Sequence, residues 1–162
     1  MEILRDLAIQ KIMDDMREHQ KNKSIKNQCV TNTQLLYEIM KTHFSKNVKA
    51  QAVYMFSGDN GIGKFVNHVI LVKDNKTIMD ASYDTYCLKD KNYFYTFKDL
   101  MDHFDNETKN RIRTELDMRE LVNTHMRFIK VAERINNDEF VIADRKHYID
   151  QADYISSLFG RN

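Results

Sequence analysis

The sequence predicts an α+β fold, in which N-terminal helices pack on a small antiparallel sheet and the last third of the chain is helical. Two observations predict it. Apolar residues recur at three- and four-residue spacing near both ends of the 162-residue chain, as on the buried face of a helix. Between them, three apolar runs are separated by turn residues, which is typical of consecutive antiparallel strands. We expect a single domain over residues 1–162.

Two helices are predicted before the sheet. The first covers about Glu2 to Gln20, and its buried face consists of Leu4, Leu7, Ala8, Ile12 and Met16. After a polar loop, the second helix covers about Gln28 to Phe44, with Asn27 as its N-cap. This places Cys29 in the first helical turn.

Three strands are predicted next, over Ala50–Phe56, Phe65–Lys73 and Thr77–Ser82. A glycine-rich loop separates the first two strands, and residues 74–76 form the turn before the third. The aromatic segment 83–95 that follows is predicted to be irregular.

The remainder, about 96–162, is predicted as a helical extension. A short helix at Phe97–Phe104 is capped by Thr96, a long one covers about Glu107–Ile135, and a last one covers Tyr148–Phe159, with a short strand at Phe140–Ala143. The sequence leaves open whether this extension packs on the core or mediates an oligomer.

Composition narrows the class of protein. The net charge is +1, so neither nucleic acid nor an anionic membrane is expected as a partner. Two cysteines cannot form a disulfide framework, and neither has metal-ligand spacing to other Cys or His residues, so no metal or other cofactor is expected. No signal-like segment is evident, and no apolar run approaches the ~20 residues of a membrane-spanning helix. We expect a cytoplasmic protein in a reducing compartment.

Cys29, His68 and Asp80 are the candidate catalytic residues. A thiol in the first turn of a helix lies at the positive end of the helix dipole, which favours the thiolate. If residues 74–76 form a three-residue turn, His68 and Asp80 become diagonal neighbours on one face of a hairpin, with Cβ atoms roughly 5 to 8 Å apart. The imidazole could then activate the thiol, while the carboxylate orients the ring. A buried structural cysteine and histidine fit the same pattern equally well.

A second motif, Gly58-Asp59-Asn60-Gly61-Ile62-Gly63-Lys64, fits the GxxxxGK part of a phosphate-binding loop. However, Phe65 stands where the motif needs Ser or Thr for the magnesium ion, and it begins a strand-like run instead of a helix. A plain hairpin loop accounts for these residues, and nucleotide binding through Gly58–Lys64 remains the weaker alternative.

Cys87, His125 and His147 are candidates for an alternative site. No helix start precedes Cys87 to activate its thiol, and the sequence pairs no base with it. His125 lies beside the apolar stripe of the long helix, where a structural role is more common. Structural roles are therefore favoured for all three residues.

The surroundings of the first trio resemble those of the transglutaminase-like branch of the papain-type cysteine hydrolases. A Cys opens a helix that carries a Leu-Leu pair, a strand follows the basic, polar segment Asn47–Val53, and a His early in one strand precedes an Asp late in the next. The resemblance covers about residues 27–84. It implies a transglutaminase-like core of a helix packed on an antiparallel sheet, with Cys29 as nucleophile, His68 as general base and then acid, and Asp80 as orienting group.

The resemblance further implies acyl transfer through a thioester on Cys29, resolved by water or an amine. The backbone N–H of Cys29, helped by Gln28, would hold the oxyanion. Family members often carry an aromatic residue two positions after the His, a Pro directly after the Asp and a Gln six positions before the Cys. This sequence has Ile70, Ala81 and Lys23 at those positions. We therefore expect a cysteine-dependent hydrolase or acyltransferase acting on an amide bond of a protein or peptide. The alternative is an inactive transglutaminase-like binding or structural module.

Overall fold

The computed structural model describes residues 2–44, 47–59, 62–86, 91–115, 118–142 and 144–159. Within these ranges it is a mixed α+β structure with seven helices and one four-stranded antiparallel sheet, which confirms the predicted fold class. The helices are α1 (Glu2–Asn22), α2 (Cys29–His43), α3 (Tyr83–Tyr86), α4 (Phe97–Asp102), α5 (Asn106–Glu115), α6 (Met118–Asn136) and α7 (Arg145–Phe159). The strands are β1 (Val48–Asp59), β2 (Ile62–Lys73), β3 (Thr77–Met79) and β4 (Lys91–Phe94).

The sheet has the order β3-β2-β1-β4. Lys73 pairs with Thr77, so residues 74–76 form the predicted three-residue turn. Asp74 and Asn75 have φ angles of 55° and 59°, a left-handed conformation that Asp and Asn tolerate better than most residues. The register on which the site depends is therefore set by local turn chemistry.

The main core lies between the sheet and four helices. Alternate residues of β1 and β2 face α1, α2, α6 and α7, as the alternation of a strand requires. Deeply buried members of this core include Met16, Leu36, Met40, Leu71 and Ile135. The helix α2 is thus fixed against the sheet along much of its length. A second, aromatic cluster joins β1 to α4 through Tyr54, Phe56, Leu100 and Phe104.

The C-terminal helices pack on this core. The Asn67 side chain of β2 donates to the Leu121 carbonyl at 2.9 Å and lies 3.1 Å from Nδ1 of His125. The His125 ring also stacks on Tyr54 with centroids 3.9 Å apart. At the other end of α6, Asn136 bonds both backbone groups of Ala50, at 2.6 and 3.0 Å. The helix α6 therefore packs on the core, a point that the sequence left open.

Three predicted elements differ from the structure. The segment 83–95 contains α3 and β4, and was wrongly predicted as irregular. The predicted third strand, Thr77–Ser82, ends at Met79. The predicted long helix, by contrast, is present as α5 and α6, with residues 116 and 117 outside the described ranges. Residues 140–142 form no strand, since the backbone N–H of Val141 donates to the buried Gln34 side chain at 2.8 Å instead of to a neighbouring strand.

The helix caps give a mixed outcome. Asn27 is not the N-cap of α2: its φ is 61°, its backbone N–H donates to Asp84 at 3.0 Å, and Gln28 occupies the cap position. Thr96 does cap α4, within a reciprocal capping box with Asp99.

No helix in the described part of the chain is long and apolar enough to cross a membrane.

Candidate active site

Cys29 is the first residue of α2 and is partly exposed. A backbone N–H at this position has no acceptor within its own helix and points out of the helix N-terminus. One turn later, the Thr33 hydroxyl donates to the Val69 carbonyl of β2 at 3.0 Å. The start of α2 is therefore held beside the strand residue that follows His68.

His68 and Asp80 are in direct contact, as the predicted register requires. The Nε2 atom of His68 lies 3.0 Å from Oδ2 of Asp80, and the two residues are only 1% and 9% exposed. The Cys29 side chain lies within hydrogen-bonding reach of the same imidazole. Because Asp80 occupies Nε2, the ring nitrogen left for the Cys29 sulfur is Nδ1. The structure thus brings the three predicted residues together.

The charges of this pair stabilise each other. Burial alone lowers the pKa of His68, but hydrogen bonds to Asp80 and Cys29, together with their negative charge, outweigh burial and hold that pKa well above its ordinary value. Burial alone raises the pKa of Asp80, but the His68 contact, the Ser82 backbone and the Tyr93 hydroxyl outweigh it and hold that pKa below its ordinary value. A protonated imidazole beside the thiol favours the thiolate.

Asp80 accepts further hydrogen bonds. Oδ1 accepts from the Ser82 backbone N–H at 3.0 Å, while Oδ2 accepts from the Tyr93 hydroxyl at 2.8 Å and from the Thr85 hydroxyl at 3.3 Å. The Tyr93 ring also lies roughly parallel to the His68 ring, with centroids 6.4 Å apart. These donors satisfy a buried carboxylate that would otherwise be costly to keep ionised.

Sequence reasoning missed Tyr93 and Thr85. Tyr93 reaches the site from β4, and a strand of four residues is too short to show a clear period of two. The one sequence signal was the concentration of Tyr and Phe in residues 93–95, which is common in strands. Thr85 lies in α3, a single turn with no pattern of its own.

The Gln28 side chain is directed toward the start of α7. Its amide nitrogen lies 3.5 Å from Oδ2 of Asp144, and its buried Oε1 has no hydrogen-bond partner among the described residues. The Gln28 side chain is thus directed at α7, and its contribution to an oxyanion site stays a prediction.

The glycine-rich motif lies in the β1–β2 hairpin. Gly58 pairs with Gly63, and β2 continues without interruption from Ile62 to Lys73. A phosphate-binding loop requires a helix after its Gly-Lys pair, so that the helix N-terminus faces the phosphates. Here a strand occupies that place, which removes the main structural support for nucleotide binding by this segment.

The alternative site is not assembled in the described structure. Cys87 lies outside the described residues. His125 contacts Asn67 on β2, whereas Nε2 of His147 lies 3.1 Å from Oδ1 of Asn32 on α2. Burial lowers the pKa of both histidines, which favours neutral, structural rings. Among the described residues, no group of three or more His, Cys, Asp or Glu side chains could hold a metal ion.

Comparison of the chain with protein-family models, with curated proteins and with solved structures finds no match. The geometry of the site is therefore the basis for its function, because a fold alone does not specify chemistry.

Proposed function

We propose that the protein is a cysteine-dependent hydrolase or acyltransferase of transglutaminase-like type, acting on an amide bond in a protein or peptide. One observation carries the proposal: Cys29 opens a helix within reach of a buried imidazole whose Nε2 is hydrogen-bonded to Asp80. A nucleophile, a base and a group that orients the base are the parts that thiol catalysis requires.

In the proposed reaction, His68 already holds the proton of the Cys29 thiol, and the thiolate sulfur attacks the amide carbonyl carbon. The oxyanion that forms faces the backbone N–H of Cys29. The C–N bond then breaks, and the leaving nitrogen takes the proton from His68, which leaves a thioester on Cys29. Water or an amine next attacks the thioester, gives its proton to His68, and displaces the Cys29 thiolate. Proton transfer of this kind contributes about 10²- to 10⁴-fold to the rate.

Asp80 stays ionised throughout this cycle. Its contact with Nε2 leaves Nδ1 of His68 for the Cys29 sulfur, and its charge stabilises the imidazolium before the sulfur attacks and after the thioester is cleaved. The low exposure of both residues strengthens the interaction, since water cannot screen it.

Reaction with iodoacetamide tests the proposal without knowledge of the substrate. In a Cys87→Ser background, Cys29 should react at pH 6 at least about tenfold faster than in His68→Ala, because an ordinary thiol with a pKa of about 8.5 is almost wholly protonated there. His125→Ala is the matched control, since it removes a buried histidine that is bonded to Asn67 instead.

Equal reactivity in the parent protein and in His68→Ala would contradict the enzyme proposal and favour the inactive module. A thermal shift induced by a magnesium nucleotide, and abolished by Lys64→Ala, would instead support nucleotide binding.

A further inference from the structure

The segment that carries Asp80 lies beyond the end of the sheet. The strand β3 has only three residues and ends at Met79, and residues 80–82 form no regular structure. The ladder between β2 and β3 brings the chain to this point but ends one residue before Asp80, so it does not by itself hold the carboxylate. Yet the orientation of His68 depends on this carboxylate, so other parts of the chain must hold the segment.

The helix α1 provides two of these contacts. The Gln20 amide nitrogen donates to the Ala81 carbonyl at 2.8 Å, and the Arg17 guanidinium donates to the Asp80 carbonyl at 2.6 Å. Gln20 is 1% exposed and Arg17 is 6% exposed. Long polar side chains are rarely buried this deeply unless their hydrogen bonds are satisfied. Both of them satisfy the backbone of the Asp80 segment.

Asn32 connects these contacts of α1 to α2, the helix that carries Cys29. Its amide nitrogen donates to Oε1 of Gln20 at 2.8 Å and to the Ser82 hydroxyl at 3.2 Å. Asn32 lies three residues after Cys29, within the same turn of α2. The nucleophile and the support of the acid are therefore parts of one rigid element.

His147 of α7 completes the arrangement. Because the Asn32 amide nitrogen is used as a donor, its Oδ1 is the acceptor for Nε2 of His147, at 3.1 Å. This fixes the orientation of the Asn32 amide, which otherwise could turn over and present an oxygen to Gln20. Two helices, α1 and α2, thus hold the three-residue segment, and α7 orients one of the side chains that do so.

We propose that Gln20 and Asn32 are positioning residues of the candidate active site. Through their shared hydrogen bond they fix the distance between the start of α2, with Cys29, and the segment that places Asp80 against His68. This inference rests on the proposed function. It also assigns a role to α1, which lies outside the region that resembles the transglutaminase-like core.

The test measures the iodoacetamide rate at Cys29 from pH 5 to pH 9 in Cys87→Ser protein, for Gln20→Ala, Asn32→Ala and the double variant. Each single variant should lose at least about tenfold in rate at pH 6 while keeping its rate at pH 9, where an ordinary thiol is largely ionised. The double variant should lose less than the product of the two single losses, because both substitutions break the same Gln20–Asn32 bond.

Gln34→Ala is the matched control. Gln34 lies on the same helix, is 2% exposed, and accepts a hydrogen bond from Val141 at 2.8 Å, so its loss also removes one buried hydrogen bond. A merely structural role for Gln20 and Asn32 would give all three single variants the same pH profile. The proposal requires Gln34→Ala to keep the parent profile.

The outcomes separate this inference from the proposed function. If the parent protein reacts rapidly at pH 6 and the two variants react equally rapidly, the positioning role is wrong and the proposed function stands. If the parent protein itself behaves as an ordinary thiol, both are wrong. Should neither variant fold, Ser82→Ala decides, because it removes only one oxygen: a loss of about fivefold at pH 6 supports the role, and an unchanged rate overturns it.

Discussion

At the scale of single residues, the buried pair of His68 and Asp80 is unusual in how fully its carboxylate is satisfied. A buried ion pair gains little for stability when its remaining lone pairs lack partners. Here Asp80 also receives the Ser82 N–H and the hydroxyls of Tyr93 and Thr85. So many hydrogen bonds to one carboxylate fit a group that must stay ionised and in place.

Asp80→Asn tests the electrostatic role of the acid. The variant removes the charge that raises the pKa of His68, so His68 should lose its proton at a lower pH than in the parent protein. The alkaline limit of any activity that needs the imidazolium should move to lower pH as well. An NMR titration of the His68 ring measures the shift. Asp84→Asn is the control, since it changes a neighbouring carboxylate that accepts from Asn27, and its His68 titration should match the parent's.

Tyr93→Phe tests the hydroxyl that reaches Asp80 from β4. The ring is kept, but a hydrogen bond to a charged group is lost, which should lower the free energy of unfolding at neutral pH by about 1.5 to 3 kcal/mol. The pKa of Asp80 is lowered in the fold, so this stabilisation is present above the unfolded carboxyl pKa of about 3.9 and is lost as pH falls further. Urea unfolding at pH 7 and pH 3 measures both effects.

Tyr37→Phe is the control for that measurement. The Tyr37 hydroxyl donates at 2.8 Å to Asp138, whose side chain is exposed, so its loss should cost less, about 0.5 to 1.5 kcal/mol. It should also leave the reactivity of Cys29 unchanged. An equal cost for both variants would mean that burial of Asp80 adds nothing to the Tyr93 contact.

At the scale of elements, the Thr33 hydroxyl docks α2 on the β2 strand. Thr33→Val keeps the shape of the side chain but removes the donor to the Val69 carbonyl, and should cost about 1 kcal/mol in free energy of unfolding. It should also reduce the iodoacetamide rate at Cys29, because the start of α2 loses a fixed point beside His68. Thr33→Ser keeps the hydroxyl and should restore that rate; if Thr33→Val reacts as the parent does, the docking bond is not needed for the site.

The elements that sequence predicted well are those with strong local signals. The turn Asp74-Asn75-Lys76 fixed the β2–β3 register, because Asp and Asn accept left-handed angles, and this register placed Asp80 against His68. The amphipathic period of α2 likewise placed Cys29 in its first turn.

The parts of the site that sequence did not reveal depend on contacts between distant residues. Gln20 and Arg17 contact the Asp80 segment across 61 and 63 positions of the chain, and their neighbours in α1 gave no sign of it. Tyr93 required a short strand to be recognised at the edge of the sheet. A polar residue on a helix is usually solvated, so only tertiary structure distinguishes these from ordinary surface positions.

At the scale of the whole molecule, the buried histidines give stability a defined pH dependence. As pH falls from about 6.5 to 5, His68 with its raised pKa stays protonated in the fold and becomes protonated in the unfolded chain, while Asp80 stays ionised in both, so the pair causes no loss of stability. The pKa values of His125 and His147 are lowered by burial, so their stabilisation is present above about pH 6.5 and is lost as pH falls through their folded values.

His125→Gln should therefore lose less stability than the parent protein when pH falls from 6.5 to 5. Both residues can bond Asn67, but Gln does not take up a proton on unfolding, so the variant removes one of the two histidines that drive the loss. Urea unfolding at the two pH values measures the difference. His43→Gln, which changes an exposed histidine at the end of α2, is the control and should not lessen the loss. If His125→Gln and the parent protein lose equal stability, the ring between α6 and the sheet is not the neutral, buried group that its contacts indicate.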